Sequence, residues 1–177
     1  MARIVVLASK TKWDPDFAPC YTPEEMLKQG VFEGKYINNI RGIPKEWKKL
    51  PKVVGPKDEP NVALNKFGVK SRQPLSVWKA NGWIMTDANG WFEWYCKYYN
   101  GRRLGEEDRK QIKRWRSFVA RHQGQIVKSG KLKDKNSRAK QRQGLLQWGW
   151  DSTKEFNEDQ LKRNRRKLSR LGFNLEG

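Results

Sequence analysis

The stretch GWFEWYCKYYNGRR, residues 90–103, joins a dense run of aromatic rings to two arginines. Exposed rings stack on nucleobases, and guanidinium groups pair with phosphate oxygens. On a helical wheel the six rings of residues 91–99 spread over a wide arc, and only Glu93 and Lys97 share a narrow charged stripe. An arc this wide is typical of a helix that is buried on most sides. We therefore predict that the rings form core, and that Arg102 and Arg103 begin a phosphate-binding surface.

The positive charge of the chain is concentrated towards its C-terminal end. The formal net charge is +19, and residues 101–177 carry 22 basic and 9 acidic side chains, against 11 and 8 in residues 1–60. Such an excess attracts DNA, RNA or an anionic membrane surface, and a charge that only keeps the protein soluble is the alternative. Nine tryptophans argue against a disordered basic tail.

Two predicted helices separate an apolar face from a basic one. In residues 105–122 the apolar face carries Ile112, Trp115 and Val119, and the helix at 158–171 repeats this pattern with leucines. A solvated charged face is the alternative for either helix alone, but two such helices flanking a basic loop at 124–137 favour a polyanion partner. The side chains predicted to contact phosphates are Arg102, Arg103, Lys113, Arg114, Lys162, Arg163, Arg166 and Arg170.

Catalysis finds little support in the sequence. The single histidine, His122, falls on the apolar face of its helix, where a packed and hydrogen-bonded role is favoured. Cys20 and Cys96 lie far apart and are read as free thiols, so the common zinc sites are excluded. No phosphate-binding glycine motif is present. We predict no cofactor, no metal site and no catalytic residue. The acids left open for a magnesium site of a nuclease are Asp14, Asp16, Asp87 and Glu93.

Local signals mark several short elements. In YTPEEMLKQG, Thr22 and Glu25 form a capping box and Gly30 ends the helix. Four prolines interleaved with lysines predict an irregular, extended connection over residues 41–60. Further predicted elements are a strand at Arg3–Ala8 and helices at Ser71–Lys79, at 90–100 with Asp87 or Asn89 as its cap, and at 138–148 with Ser137 as its cap.

These elements predict a mainly α protein with an aromatic-rich core, an irregular N-terminal region rich in proline and lysine, and room for one short strand pair. The expected organisation is an N-terminal region at 1–60 and a helical domain at 61–177, of which 101–177 is strongly basic. The longest apolar run, Ile4–Ala8, is too short to cross a bilayer, so no membrane partner and an intracellular location are expected.

Three stretches resemble one family. The segment from Asp87 to Gln125, in which GWFEWYCKYYNGRR leads into DRKQIKRWRSFVARHQGQ, is similar to a small uncharacterised family of basic, Trp-rich proteins associated with phages, large DNA viruses and some microbes. YTPEEMLKQGVFEGKY and RQGLLQWGW resemble other parts of the same family. The resemblance covers about half of the chain. It implies a viral or phage setting in the host cytoplasm or virion, and it carries over no activity, cofactor or catalytic residue.

The sequence thus predicts a non-catalytic nucleic-acid-binding protein that contacts the phosphate backbone with low sequence specificity. The sequence is equally compatible with DNA and with RNA as the partner. Two alternatives stay open: an enzyme that cuts or modifies nucleic acid, and a structural subunit of a virion or ribonucleoprotein with protein partners in a larger assembly.

Overall fold

The computed structural model describes residues 13–71, 80 and 86–154, and over these residues the protein is mainly helical and contains no strand. The α-helices in this part are α1 (Pro23–Gln29), α2 (Trp91–Tyr99), α3 (Glu106–Lys128) and α4 (Ala139–Gln147). Short 3-10 helices lie at Phe32–Gly34, Tyr36–Asn39, Lys45–Lys49 and Val62–Leu64. The predicted strand Arg3–Ala8, the body of the predicted helix Ser71–Lys79 and the predicted helix 158–171 lie outside the described residues. No described helix combines the length and the apolar character that a membrane span needs.

Helix α1 begins and ends as the sequence predicts. The Thr22 hydroxyl accepts from the Glu25 amide at 3.1 Å, and the Glu25 carboxylate accepts from the Thr22 amide at 2.9 Å. The helix ends at Gly30 with φ of 97°. A Cβ at this position would lie 1.9 Å from the carbonyl oxygen of Leu64, so only glycine lets the two backbones approach this closely.

The core is built around one phenylalanine. Phe17 is 1% exposed, and its ring makes edge-on contacts at centroid distances of 5.0 to 6.0 Å. The five rings in edge-on contact with Phe17 are those of Trp91, Trp94, Tyr95, Tyr98 and Trp115, and the Trp13 ring stacks on it at 5.4 Å. Four of these five rings belong to α2, and edge-on pairs add to the energy of burial. The prediction that the aromatic stretch forms core is confirmed.

The start of α2 differs from the prediction. Gly90, and not Asp87 or Asn89, is the N-cap, and no side chain caps the helix. Instead, the Glu93 carboxylate accepts from the backbone and side-chain amides of Asn89 at 2.9 and 3.0 Å. Glu93 still pairs with Lys97 at 2.9 Å as expected, but it is only 6% exposed. The hydrogen bonds from Asn89 and Lys97 compensate for the loss of water around the buried carboxylate.

Helix α3 is longer than predicted. It continues through Gly124 to Lys128, so the loop expected at 124–137 begins only at Ser129. Ile126 is fully buried, and this packing outweighs the low helix propensity of the glycine. Helix α4 likewise starts without the predicted side-chain cap from Ser137. Its N-cap is Arg138 in the left-handed region, with φ of 54°.

Residues 41–60 do not form the extended connection that the prolines suggested. The segment includes the 3-10 helix Lys45–Lys49, whose Trp47 is 3% exposed. The Lys35 ammonium donates to the carbonyl oxygens of Gly55 and Pro56 at 3.1 and 2.6 Å. Burial of Trp47 and the hydrogen bonds from Lys35 hold the segment folded back against residues 30–38. Described residues from both predicted regions, 1–60 and 61–177, contribute to one buried cluster.

We predict that Phe17→Ala lowers the free energy of unfolding by about 3–5 kcal/mol, because five rings lose their common partner. Urea unfolding followed by tryptophan fluorescence measures the loss. Val127→Ala is the matched control, since Val127 is exposed and its truncation should change stability by less than about 0.5 kcal/mol. Equal effects of the two substitutions would contradict the central role of Phe17.

Candidate nucleic-acid interface

A dense group of exposed basic side chains lies at the end of α3, in the connection to α4 and in the first turn of α4. Residues 128–140, called the basic segment below, contain six basic side chains and one acidic side chain, Asp134. All six basic side chains are exposed: Lys128, Lys131, Lys133, Lys135, Arg138 and Lys140. The segment therefore presents a net charge of +5 on one short length of chain. Charges this close together create a strong local positive potential that an anionic partner relieves.

One buried arginine holds the basic segment in place. Arg142 in α4 is fully buried, and its Nε donates to the Ser137 carbonyl oxygen at 2.7 Å. Its Nη2 donates to the Lys131 carbonyl oxygen at 2.7 Å, and its Nη1 donates to the Ser152 hydroxyl at 3.2 Å. Burial lowers the pKa of the Arg142 guanidinium, and the charges of Asp134 and Asp151 oppose this shift. Arginine keeps its charge under such conditions.

Gln143, the residue after Arg142, connects α4 to two further segments. Gln143 is also fully buried; its Nε2 donates to the Gly30 carbonyl oxygen at 3.1 Å. Its Oε1 accepts from the Phe67 amide at 3.1 Å. Two adjacent side chains therefore tie the basic segment, the turn at 151–153 and the loop at 65–68 to a single helix.

Two of the predicted phosphate contacts are engaged within the protein. Arg102 is half-buried and pairs in a two-pronged manner with Asp87, with 2.9 Å between Nη1 and Oδ1. Lys97 also donates to Asp87 at 3.1 Å. Burial alone would raise the pKa of Asp87, but hydrogen bonds from Arg102 and Lys97 hold it below its usual range. The half-buried Arg103 lies 3.7 Å from the centroid of the Tyr98 ring and donates to the Tyr98 carbonyl oxygen at 2.7 Å.

The other predicted contacts divide into two sets. Lys113 and Arg114 are half-buried on α3. Arg114 donates to Gln111 Oε1 at 3.0 Å and lies 5.8 Å from the Trp148 ring, and burial lowers its pKa. The remaining four residues lie outside the described part of the chain, and their role stays a prediction: Lys162, Arg163, Arg166 and Arg170.

The acids considered for a magnesium site are engaged elsewhere. Asp16 pairs with Arg116 at 3.2 Å, and Asp14 Oδ1 accepts from the Asp16 amide at 2.8 Å, as in a turn. Asp87 and Glu93 share the Lys97 ammonium. Within residues 13–71, 80 and 86–154, no three His, Cys, Asp or Glu side chains are grouped so that they could hold a metal ion.

The single histidine is packed, as the sequence predicts. The His122 ring lies 4.3 Å from the Phe118 ring, and its Nδ1 lies 3.1 Å from Gln141 Nε2. Burial and the nearby Arg121 charge lower the pKa of His122, so the neutral ring is favoured near neutral pH. Cys20 and Cys96 are both free thiols, also as predicted.

The basic segment supplies none of the eight residues that the sequence singled out. Most of the segment falls in the predicted basic loop 124–137, and Arg138 and Lys140 fall in the predicted helix 138–148, whereas the predicted phosphate contacts come mainly from helix faces with a measurable period. Charge density alone identifies the segment: six basic residues occur in thirteen positions. The partners of Arg102 and Arg103 inside the protein are not visible as a local pattern.

The described residues define a helical protein with an aromatic core and an exposed, anchored basic segment. No family model matches the chain, and neither the curated proteins nor the solved structures contain a significant match.

We predict that Arg142→Met frees the basic segment while leaving most of the aliphatic volume in place. The carbonyl oxygens of Lys131 and Ser137 lose a charged donor, and each such loss costs about 1–3 kcal/mol. Limited trypsin digestion should then cleave after Lys131, Lys133 or Lys135 at least about tenfold faster, as followed by mass spectrometry. Arg138→Met is the control, because Arg138 is exposed on the same segment. Unchanged cleavage in Arg142→Met would refute the anchoring role.

We also predict that Asp87→Asn removes an acid-sensitive part of the stability. The folded-state pKa of Asp87 lies below the unfolded value, so this stabilisation is complete above about pH 5 and is lost as pH falls through the folded pKa. Wild type should therefore exceed Asp87→Asn in stability at pH 7, and the gap should close towards pH 2. Thermal unfolding across this range measures the gap, with the exposed Glu59→Gln as control. A gap independent of pH would contradict the ionic role of Asp87.

Proposed function

We propose that the protein binds nucleic acid without catalysis, through phosphate contacts made by the basic segment. The observation that carries the proposal is the exposure of all six basic side chains of residues 128–140 on a backbone anchored by Arg142. Anchored cations lose less conformational freedom on binding than cations on a loose tail. Polyanion binding is therefore favoured by both the charge and the preorganisation of the segment.

Low sequence specificity follows from the kind of side chains present. Five of the six are lysines, whose ammonium groups act as compact point charges. Reading base edges requires side chains that offer paired donors and acceptors in a fixed geometry, such as asparagine, glutamine or the arginine fork. Contacts dominated by lysine follow the phosphate backbone and position the protein on it.

We expect the residues predicted from the sequence to contribute to phosphate binding in a graded way. Arg102 and Arg103 would have to exchange contacts inside the protein for phosphates, so we expect them to contribute less than the basic segment. Lys113 and Arg114 on α3 are half-buried and rank between the two. The C-terminal basic residues Lys162, Arg163, Arg166 and Arg170 remain proposed contacts on the same grounds of charge.

The salt dependence of binding tests this proposal. If about six phosphates are neutralised, log K against log salt should have a slope near −5 for duplex DNA. The triple variant Lys128→Gln, Lys131→Gln, Lys140→Gln should reduce the slope to about −3, because each neutralised phosphate contributes about 0.9. Fluorescence anisotropy with a labelled 20-base-pair duplex, between 50 and 300 mM salt, measures both.

A charge-matched control separates the basic segment from net charge. Lys45→Gln, Lys49→Gln, Lys57→Gln removes three exposed charges from the N-terminal part and should leave the slope unchanged. Equal slopes for the two triple variants would show that binding follows net charge alone. Absence of binding to duplex DNA, single-stranded DNA and RNA at 50 mM salt would overturn the proposed function.

A further inference from the structure

A small cavity, open to solvent, lies beside the basic segment. Its volume is about 80 Å³, which exceeds the space that one water molecule needs several-fold and suits a single six-membered ring. Lys135 of the basic segment forms part of its wall. The residues that line it are Tyr21, Lys66, Phe67, Lys135, Leu146, Trp150, Asp151, Ser152 and Thr153.

The cavity wall combines aromatic rings with lysine ammonium groups. Lys66 Nζ lies 5.8 Å from the ring centroids of both Tyr21 and Phe67. Trp150 lines the cavity and is 5% exposed, and Lys154 Nζ lies 4.8 Å from its ring. Trp150 is nearly covered, so the half-buried rings of Tyr21 and Phe67 are the ones that can contact a flat heterocycle, and the ammonium groups beside them can pair with phosphates attached to it.

A carboxylate of fixed orientation also lines the cavity. Asp151 Oδ1 accepts from the Thr153 amide at 2.9 Å and from the Thr153 hydroxyl at 2.7 Å. Burial would raise the pKa of Asp151, but hydrogen bonds from Thr153 and from the Tyr21 hydroxyl, together with the charge of Lys66, hold it below its usual range. The group is therefore ionised near neutral pH, and an ionised carboxylate only accepts hydrogen bonds.

The surroundings show that these charges lie close together. Burial raises the pKa of the Tyr21 hydroxyl, and the Asp151 carboxylate raises it further. Burial lowers the pKa of Lys66; Asp151 opposes this shift, while Lys135 and Lys52 add to it. One acceptor, Asp151, and two cations, Lys66 and Lys135, thus line one small space, which suits a ligand that carries both N–H donors and negative charge.

Two buried polar side chains keep the cavity open. Gln143 holds the Phe67 side through that residue's amide, and Arg142 holds the turn at 151–153 through the Ser152 hydroxyl. Gln123 donates to the Ser152 carbonyl oxygen at 3.1 Å and reinforces the same turn. The walls are therefore in place before a ligand arrives, which reduces the cost of binding.

We propose that this cavity binds one unpaired nucleobase with an exocyclic amino group, while the flanking phosphates lie along the basic segment. The proposal rests on the proposed function and names its preferred substrate: single-stranded nucleic acid with amino-bearing bases. The amino group donates to Asp151, the ring lies against the aromatic wall, and Lys66 and Lys135 face the adjoining phosphates. A base within a duplex cannot enter, because its amino group and both of its faces are already engaged.

Two homopolymers of equal charge test the proposal with the unmodified protein. Cytosine carries an amino donor at the position where thymine carries a carbonyl acceptor. We expect labelled dC12 to bind at least about fivefold more tightly than dT12, with equal salt slopes, since one good base contact gives discrimination of this order. Equal affinities for dC12 and dT12 would overturn the proposal without any variant.

A matched pair of variants assigns the preference to the cavity. Asp151→Ala and Asp134→Ala each remove one negative charge, within the basic segment for Asp134 and near it for Asp151, but only Asp151 lines the cavity. The dC12 to dT12 ratio should fall to about one in Asp151→Ala and persist in Asp134→Ala, with thermal unfolding confirming that both are folded. Persistence of the ratio in folded Asp151→Ala would place the base contact elsewhere and overturn the proposal.

The outcomes also distinguish a failure of the cavity proposal from a failure of the proposed nucleic-acid binding. If dC12 and dT12 bind equally and the salt slope still falls in Lys128→Gln, Lys131→Gln, Lys140→Gln, phosphate binding stands and the cavity proposal fails. If neither strand binds at 50 mM salt, the proposed function fails first. A higher affinity for dC12 whose salt slope matches that of dT12 supports both.

Discussion

Two adjacent buried polar side chains, Arg142 and Gln143, organise the surface of this protein. Burying a guanidinium and an amide is unfavourable unless each donor and acceptor finds a partner. Here the partners are backbone groups of Lys131, Ser137, Gly30 and Phe67, all of them in turns or loops. The guanidinium of Arg142 and the amide of Gln143 need hydrogen-bond partners, and these bonds fix segments that contribute little to the aromatic core. The exposed positive charge lies on one of these segments.

The positive charge of the chain has two kinds of placement, which net charge alone conceals. Arg102 and Arg116 pair with Asp87 and Asp16 next to the aromatic core, where acids offset them. The basic segment has one acid among six basic side chains and is exposed throughout. The first kind stabilises the fold, because compensated charges next to a core lock side chains in place. The second kind is exposed and carries the proposed contacts with a polyanion.

The sequence predicted features whose causes are local. The Thr22 capping box, the ring-bearing face of α2 and the apolar face of α3 depend on neighbours within a turn or two, so periodicity reveals them. The hydrogen bonds of Arg142 and Gln143 also join residues that are distant in the sequence. Gln143 reaches a carbonyl group 113 positions upstream, and no local pattern announces that contact. Helical periodicity reveals the predicted helix faces, whereas the basic segment has no period and is visible in the sequence only as a high density of positive charge.

The anchoring of the basic segment separates two roles within one connection. Arg142 grips the backbone at Lys131 and at Ser137, and it uses carbonyl oxygens that every residue type possesses. These two bonds therefore do not depend on which side chains lie between Lys131 and Ser137, although the Lys133 ammonium also donates to the Thr153 carbonyl oxygen at 3.1 Å and Leu132 packs against the core. Under the proposed function, substitutions of the exposed Lys131 and Lys135 would change the affinity for a polyanion and leave both main-chain contacts of Arg142 in place. The connection thus combines a backbone that is fixed at two points with exposed side chains that can vary in charge.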